Sequence, residues 1–375
     1  MRIAHVSTFP EARCGIALYA SDLIDSLPMY EHRKYALHRG KNVAEDAVSH
    51  ADASAPASVR ELARAISVSS CDVVSLQHEF GIWGGAGSNG EQLFDFLDEI
   101  KKPIVATLHT TFQSADRPRI QGEMLCSLVK QSAVSFVLTP KSKDTLRTGY
   151  GLLQEDIRVI PHGVPMIPYS APSFTLQQGT EGADEWRLCT IGFFRPSKGI
   201  ETILSALATL KGIGHNVRMV IAGSPQPGRI DQESYLRRIR ELVAALGLVS
   251  SVEIDARFIT RSQQIQLICG SHAGIFAYQG FDQASSGTIP LVLAMGRPVI
   301  CTPFEYAQAK EMEIGEGATV AEGFDSPAIV EALLRFFRSR PDYVQTTERL
   351  YARTRQWAWP TVGCAYASAF KDSCG

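Results

Sequence analysis

The sequence contains no run of about eighteen consecutive apolar residues, so no segment reads as a bilayer-spanning helix. Nor is there an excess of either charge. Its 37 Lys and Arg stand against 39 Asp and Glu, a net of −2, which argues against a nucleic-acid partner, because that needs a concentrated basic face. Any anion site must therefore be local. The eight cysteines (Cys14, Cys71, Cys126, Cys189, Cys269, Cys301, Cys364 and Cys374) form no CxxC pair, and no histidine stands at metal-ligand spacing from them. Most lie in apolar strand or helix contexts, where Cys acts as a small hydrophobe, which points to a reducing, cytoplasmic setting. The opening MRIAHVSTFP reads as a strand and lacks the apolar core of a signal peptide. Peripheral attachment at the inner face of a membrane stays open, and oligomeric state leaves no trace in the sequence.

What is present is ordinary globular composition over a long chain. With 375 residues, 45% hydrophobic and 20% charged, the chain exceeds one core and should divide in two. Arg2–Ser7 reads as a short apolar strand running into a loop with Pro10 and Gly15, and helical spacing follows over 16–27. Strand, glycine-containing loop, helix is the opening unit of a doubly wound α/β fold, in which ligands meet the carboxyl ends of strands. Later strands are expected at 71–77, 104–108, 135–138 and 157–160, with helices at 59–66, 91–100 and 141–148 between them. The tract 170–185, rich in Gln, Gly and Glu, has linker composition. The alternation restarts at 187–194 and continues through strands at 217–223 and 252–255, a helix at 259–268 that Thr260 can cap with Gln263, and a helix at 328–337. The expected organisation is a first domain over 1–165 completed by a C-terminal helix from 357–375, a linker at 166–186, and a second domain over 187–356. Both should be open parallel sheets.

The stretch Phe276–Cys301, FAYQGFDQASSGTIPLVLAMGRPVIC, carries the chemistry. It reads as a buried strand, a polar loop, a helix whose first turn holds Ser286-Gly287-Thr288, and another buried strand. Unpaired first-turn amides and the helix dipole favour a phosphate there, with Ser285, Ser286 and Thr288 adding hydroxyls. An ordinary capped helix is the competing reading. Arg195 and Lys198 lie on another strand-to-helix loop and could aim positive charge at the same anion; surface cations often flank loops to no effect. The loop His78-Glu79, at a strand's carboxyl end, suits a substrate rim or a plain turn, and His162, within the break in regular structure at Pro161–Pro165, is a further candidate for that rim. His109 leaves another strand exit, where it can meet a sugar hydroxyl or simply stabilise a turn.

Taken in order, Cys14-Gly15, His109, the Pro161-His162-Gly163-Val164 turn, the basic loop before Lys198-Gly199 and the block ending Gly296-Arg297-Pro298-Val299 resemble the family 4 retaining glycosyltransferases over essentially the whole chain. The tryptophan-marked tail resembles the helix that in this family returns to the N-terminal domain. The resemblance implies a GT-B fold of two Rossmann-like domains facing across a cleft, acceptor on the first and donor on the second. It implies transfer of a hexose, mannose or glucose most commonly, from a GDP- or UDP-linked sugar to a saccharide or glycolipid acceptor, with polysaccharide biosynthesis as a setting. Gly15 would present its backbone to the donor phosphate, and His109 would face the transferred sugar. Arg195 and Lys198 would neutralise the leaving diphosphate, and Ser286, Gly287 and Thr288 would donate amides to it, with no metal required. Two departures stand out. Where the family usually has paired glutamates, this chain has Gln283 and Leu291, so the usual ribose grip is absent; and the usual arginine five before the lysine is Phe193. They keep open a phosphorylase-type enzyme using phosphate or a sugar 1-phosphate, and a non-catalytic sugar-binding relative.

Overall fold

Short strands that alternate with amphipathic helices bury themselves by lying in parallel beneath helices on both faces, and the chain does this twice. The computed structural model describes residues 1–39, 44–84, 88–112, 118–172, 185–225 and 232–375. The chain divides into two compact units, residues 1–165 with 357–375, and residues 166–356.

The first unit runs β1 (Arg2–Ser7), α1 (Gly15–Asp25), β2 (Glu31–His38), β3 (Ser49–Asp52), α2 (Pro56–Val68), β4 (Val73–His78), α3 (Gln92–Glu99), β5 (Ile104–Leu108), α4 (Arg119–Gln131), β6 (Ser132–Val137), α5 (Pro140–Asp144) and β7 (Ile157–Val159). Its seven strands are all parallel, in the order β3-β2-β1-β4-β5-β6-β7.

The second unit runs β8 (Glu185–Ile191), α6 (Ile200–Gly212), β9 (Asn216–Ala222), α7 (Gln232–Ala245), β10 (Val252–Asp255), α8 (Arg261–Cys269), β11 (Ala273–Phe276), α9 (Ile289–Ala294), β12 (Val299–Cys301), α10 (Glu305–Ile314), β13 (Ala318–Val320), α11 (Ser326–Arg338) and α12 (Tyr343–Thr354). Its six parallel strands are ordered β10-β9-β8-β11-β12-β13. The chain then returns to the first unit with α13 (Trp359–Cys374).

In each sheet the order reverses beside the first strand, between β1 and β4 and between β8 and β11. Loops leaving those strands diverge, and the crevice they leave is where doubly wound sheets take ligands.

Each unit also buries polar groups in a particular way. In the first unit, one sheet face is apolar, with Val6, Leu76, Ala106, Leu108 and Val137 packed into a core with α2 to α4. The other face carries buried polar residues: His5, Ser7, Ser75, Gln77 and Thr107. Tyr366 of α13 bonds Thr107 Oγ1 at 2.6 Å and Tyr19 of α1 at 2.9 Å, so the tail helix satisfies part of that polar face.

In the second unit, Arg297 is fully buried, with no carboxylate partner among the described residues. Its guanidinium donates to the carbonyls of Ser271, Met295, Ser170 and Cys269. Those oxygens lie at the carboxyl ends of α8 and α9 and beside the chain entering the unit, so a cation is held by helix dipoles and satisfies carbonyls that would otherwise be orphaned. The Gly296-Arg297-Pro298 motif is thus a structural clasp.

The linker expected at 166–186 lies largely outside the described residues, as do Gly85 and Arg117. Thr260 caps α8 with the reciprocal bonds of a capping box to Gln263, as its spacing predicts.

Candidate active site

At the β8/β11 reversal the backbones come unusually close. A Cβ on Gly223 would lie 1.8 Å from the Gly192 carbonyl oxygen, so the exits of β8 and β9 demand glycine at 223. From Gly192 the chain reaches Arg195, makes one 3-10 turn over Pro196–Lys198, and enters α6 through Gly199 in the left-handed conformation (φ 61°). A Cβ on Gly199 would meet the Ala277 carbonyl at 1.9 Å. That approach, with Gln279 N donating to Ser197 O at 2.9 Å, sews the basic loop onto the exit of β11.

The consequence is electrostatic. Lys198 Nζ lies 3.4 Å from the centroid of the Tyr278 ring. The Tyr278 hydroxyl lies 3.4 Å from Thr288 Oγ1, and Ser286 Oγ lies 3.3 Å from the same atom. Lys198 and the hydroxyl loop therefore meet through one aromatic ring.

Burial holds the Lys198 amine below the usual lysine value, with Tyr278 pulling it back up and Arg195 adding to the lowering. For Tyr278, burial alone would raise the phenol, but the Lys198 ammonium and the Thr288 and Ser286 hydroxyls outweigh it and leave it below the usual tyrosine value. Among the described residues neither Arg195 nor Lys198 makes an ion pair, and Arg195 Nε is buried with no hydrogen-bond partner. Two neighbouring cations with no carboxylate between them form a receptor for an anion.

The loop at 283–288 corrects one expectation. The helix begins at Ile289, with Thr288 as its N-cap, so Ser286-Gly287-Thr288 precede the first turn instead of forming it. The helix has only six residues, and Pro290 removes one of its early amides. Ser286 Oγ instead accepts from Ile289 N at 3.3 Å. The loop offers hydroxyls and backbone; a helix dipole contributes little. Gly287 is exposed and Ser285 partly so. Gln283 donates its amide to Ser285 O at 2.8 Å, while its backbone carbonyl accepts from Tyr306 N. Leu291 is 1% exposed within α9, so its position presents no group to a ligand.

In the first unit, His109 follows β5 and is buried. Its Nε2 lies 2.8 Å from Gln77 Oε1, an atom that only accepts, so Nε2 carries the proton and Nδ1 is left as an acceptor. Burial, with smaller contributions from His162 and His78, pulls its pKa down to about 3, so the ring is neutral. Tyr19 packs edge-on against both His109 and His162.

His162, placed by its turn on a substrate rim, is instead buried: its Nδ1 bonds the Gly163 carbonyl, and Trp359 packs across the turn. His78, also expected on a rim, is 0% exposed, turned into the apolar layer against Phe80, with no partner for either ring nitrogen. Glu79 alone of that pair is partly exposed, and it accepts from Thr110 Oγ1. Gly15 opens α1 at an exposed position with open space around it.

A comparison with curated proteins gives no match. Residues 174–357 match the family model described as glycosyl transferases group 1. The matched stretch, just under half of the chain, is similar to a group 1 glycosyltransferase domain. It spans the basic loop, Tyr278, the hydroxyl loop and the Arg297 clasp.

Solved structures agree on the fold. A sucrose-phosphate synthase from Thermosynechococcus elongatus is 14% identical with a TM-score of 0.76, covering 99% of this chain and 98% of that one. HepE of Anabaena, in complex with UDP and glucose, is 14% identical with a TM-score of 0.76, covering 99% of both chains. A glycosyltransferase from Rickettsia africae is 16% identical with a TM-score of 0.74, covering 99% of this chain and 97% of that one. The two parallel-sheet α/β domains are those of GT-B glycosyltransferases.

Within the matched stretch, sequence reasoning singles out Arg195, Lys198, Gln283 and 285–288, and the structure brings Lys198 together with Ser286 and Thr288. It misses Tyr278, because an aromatic ending a buried strand reads as core. The available signal was its position at the exit of β11, beside the strand that feeds Lys198.

Proposed function

We propose that the protein is a retaining, metal-independent glycosyltransferase that moves a hexose, mannose or glucose, from a UDP- or GDP-linked donor to a saccharide or glycolipid acceptor. The observation that carries it is the pair Arg195 and Lys198: uncompensated cations at the topological reversal of a unit similar to a group 1 glycosyltransferase domain, adjoining the Ser286 and Thr288 hydroxyls.

Cleavage of a sugar–diphosphate bond leaves negative charge on the departing phosphate. Fixed donors aimed at that charge stabilise the transition state without reorganising. Lys198 and Arg195 neutralise it, and Ser285, Ser286, Gly287 and Thr288 surround it with hydroxyls and amides. Neutral His109, with Nδ1 free to accept, is assigned to hydroxyls of the transferred sugar, Gly15 to the donor phosphate, and Gln283 to the position facing that sugar. In a front-face reaction the departing phosphate takes the acceptor proton, which suits a site whose working groups are cations and hydroxyls. The solved HepE complex with UDP and glucose supports a uridine donor among the alternatives. Enzyme desalted into EDTA should keep its rate within about twofold, since side-chain cations take the place of Mg²⁺ at the phosphate; a loss reversed by Mg²⁺ would contradict this.

Thermal shift with UDP, GDP, ADP and orthophosphate tests the assignment. A ligand at one hundred times its dissociation constant stabilises by about 2.7 kcal/mol. Nucleotide-specific stabilisation is the expected result. The buried Leu291, which has no acceptor for a ribose, favours one second reading, a phosphorylase-type enzyme. Stabilisation by orthophosphate alone would select it, and no response to any of the four would indicate a relative without this chemistry.

A further inference from the structure

Lys198 sits on a rigid framework but is itself a flexible side chain. The framework is fixed from three sides. Gly199 abuts the Ala277 carbonyl and Ser197 is bonded to Gln279, so the backbone of the basic loop is tied to the exit of β11. The Tyr278 ring is 3% exposed and stacks on Phe304, with centroids 4.9 Å apart and planes 25° from parallel. Thr302 Oγ1 donates to the Tyr278 carbonyl at 2.6 Å. The phenol reaches Thr288. Against this framework the Lys198 ammonium rests 3.4 Å from the ring centroid, with no carboxylate partner among the described residues.

We propose that Tyr278 is a positioning residue: its immobilised ring face holds the Lys198 ammonium beside the Ser286 and Thr288 hydroxyls, so that the cation is already placed when a diphosphate arrives. This rests on the reading that Lys198 meets the diphosphate. A carboxylate would hold a lysine as well, but it would neutralise the charge and compete with the anion. An aromatic face attracts the cation through its quadrupole and takes none of its three N–H donors irrevocably, so the ammonium can keep the ring and still donate to phosphate. The contact acts on both groups in the expected sense: the ammonium lowers the phenol, and the ring raises the amine against the lowering that burial imposes.

The test is a double-mutant cycle on dissociation constants measured by titration calorimetry, using whichever of UDP, GDP, ADP and orthophosphate binds the wild-type protein. Tyr278→Leu should weaken binding on the order of tenfold, the cost of ordering one long side chain on association. Tyr278→Phe keeps the face that holds the cation and should stay within about threefold. In a Lys198→Ala background, Tyr278→Leu should have no further effect, because the two act as one unit. Tyr278→Met, similar in bulk and without a π face, replaces the leucine variant if that one fails to fold. Unchanged affinity in Tyr278→Leu, or an equal loss with and without Lys198, would overturn the proposal. If wild-type binds none of the four probes, or Lys198→Ala binds as well as wild-type, the underlying reading of the site fails and the positioning role fails with it.

Discussion

Lys198, Tyr278 and His78 show how differently burial acts on single residues. Lys198 is desolvated yet uncompensated, an arrangement that costs stability unless an anion arrives. Lys198→Ala should therefore lower turnover about a hundredfold or more while folding is retained, by analogy with loss of one oxyanion donor, as read from kcat beside a circular dichroism spectrum. A near-wild-type rate would remove Lys198 from the mechanism. His78 is the opposite case: a fully buried ring with two unpartnered nitrogens in an apolar layer. His78→Leu should be neutral or stabilising by about 1–2 kcal/mol, since it removes polar atoms that gain nothing from folding; chemical denaturation reads it directly. A stabilised variant with reduced activity would mark His78 as a residue kept for function at the expense of stability. Arg195 and Lys198 were legible in the sequence as cations on a strand-to-helix loop. The burial of His78 and His162 was not, because a histidine after a strand has the same sequence neighbours whether it points to solvent or to the layer beneath.

Elements were legible where burial was complete. β5 and β10 occupy the stretches their apolar runs predict, 104–108 and 252–255. β2, β3, α10, β13 and α12 leave no comparable pattern. β2 is EHRKYALH, whose first four residues are charged or polar and at least partly exposed, with only Tyr35, Ala36 and Leu37 buried. β13 is three residues long with one of them buried. Short or half-solvated segments carry too little periodicity to be seen. α9 is legible but starts later than its sequence suggests, because its N-terminal hydroxyls look like a first turn and a three-residue offset leaves the pattern almost unchanged. The Pro161–Val164 turn also has a structural purpose. Val164 N bonds Trp357 O at 2.9 Å and Trp359 N bonds Val164 O at 3.0 Å, while the Trp359 ring lies where a Cβ on Gly163 would be, 2.4 Å away. Gly163→Ala should cost about 1–3 kcal/mol through overpacking. Hydrogen exchange should localise the loosening to α13, and unchanged protection of that helix would show that the tail docks without this turn.

At the scale of the whole molecule, buried histidines set the response to acid. His5, His78, His109 and His272 are each pulled from 6.5 to about 3, first of all by burial. The folded chain then binds fewer protons than the unfolded one between those values, so the stability they contribute is complete above 6.5 and is lost as pH falls towards 3. At about pH 5.5 each withholds roughly 1.4 kcal/mol, so the melting temperature should drop steeply from pH 7.5 to 5.5, and less steeply in His78→Leu. A flat profile would mean that these rings are solvated. No helix among the described residues is long and apolar enough to cross a membrane. The sequence by itself determined the doubly wound class and the cationic loop, since strand burial, helix periodicity and charge are local properties of neighbouring residues. It also marked Ser286 and Thr288. Only the tertiary structure decided that Lys198 rests on Tyr278, far along the chain, that Arg297 is a clasp on helix ends, and that one sheet face is polar beneath α13. Those facts depend on which strands lie side by side where the order reverses, and adjacency across a parallel sheet is set by crossover connections that no short window of sequence contains.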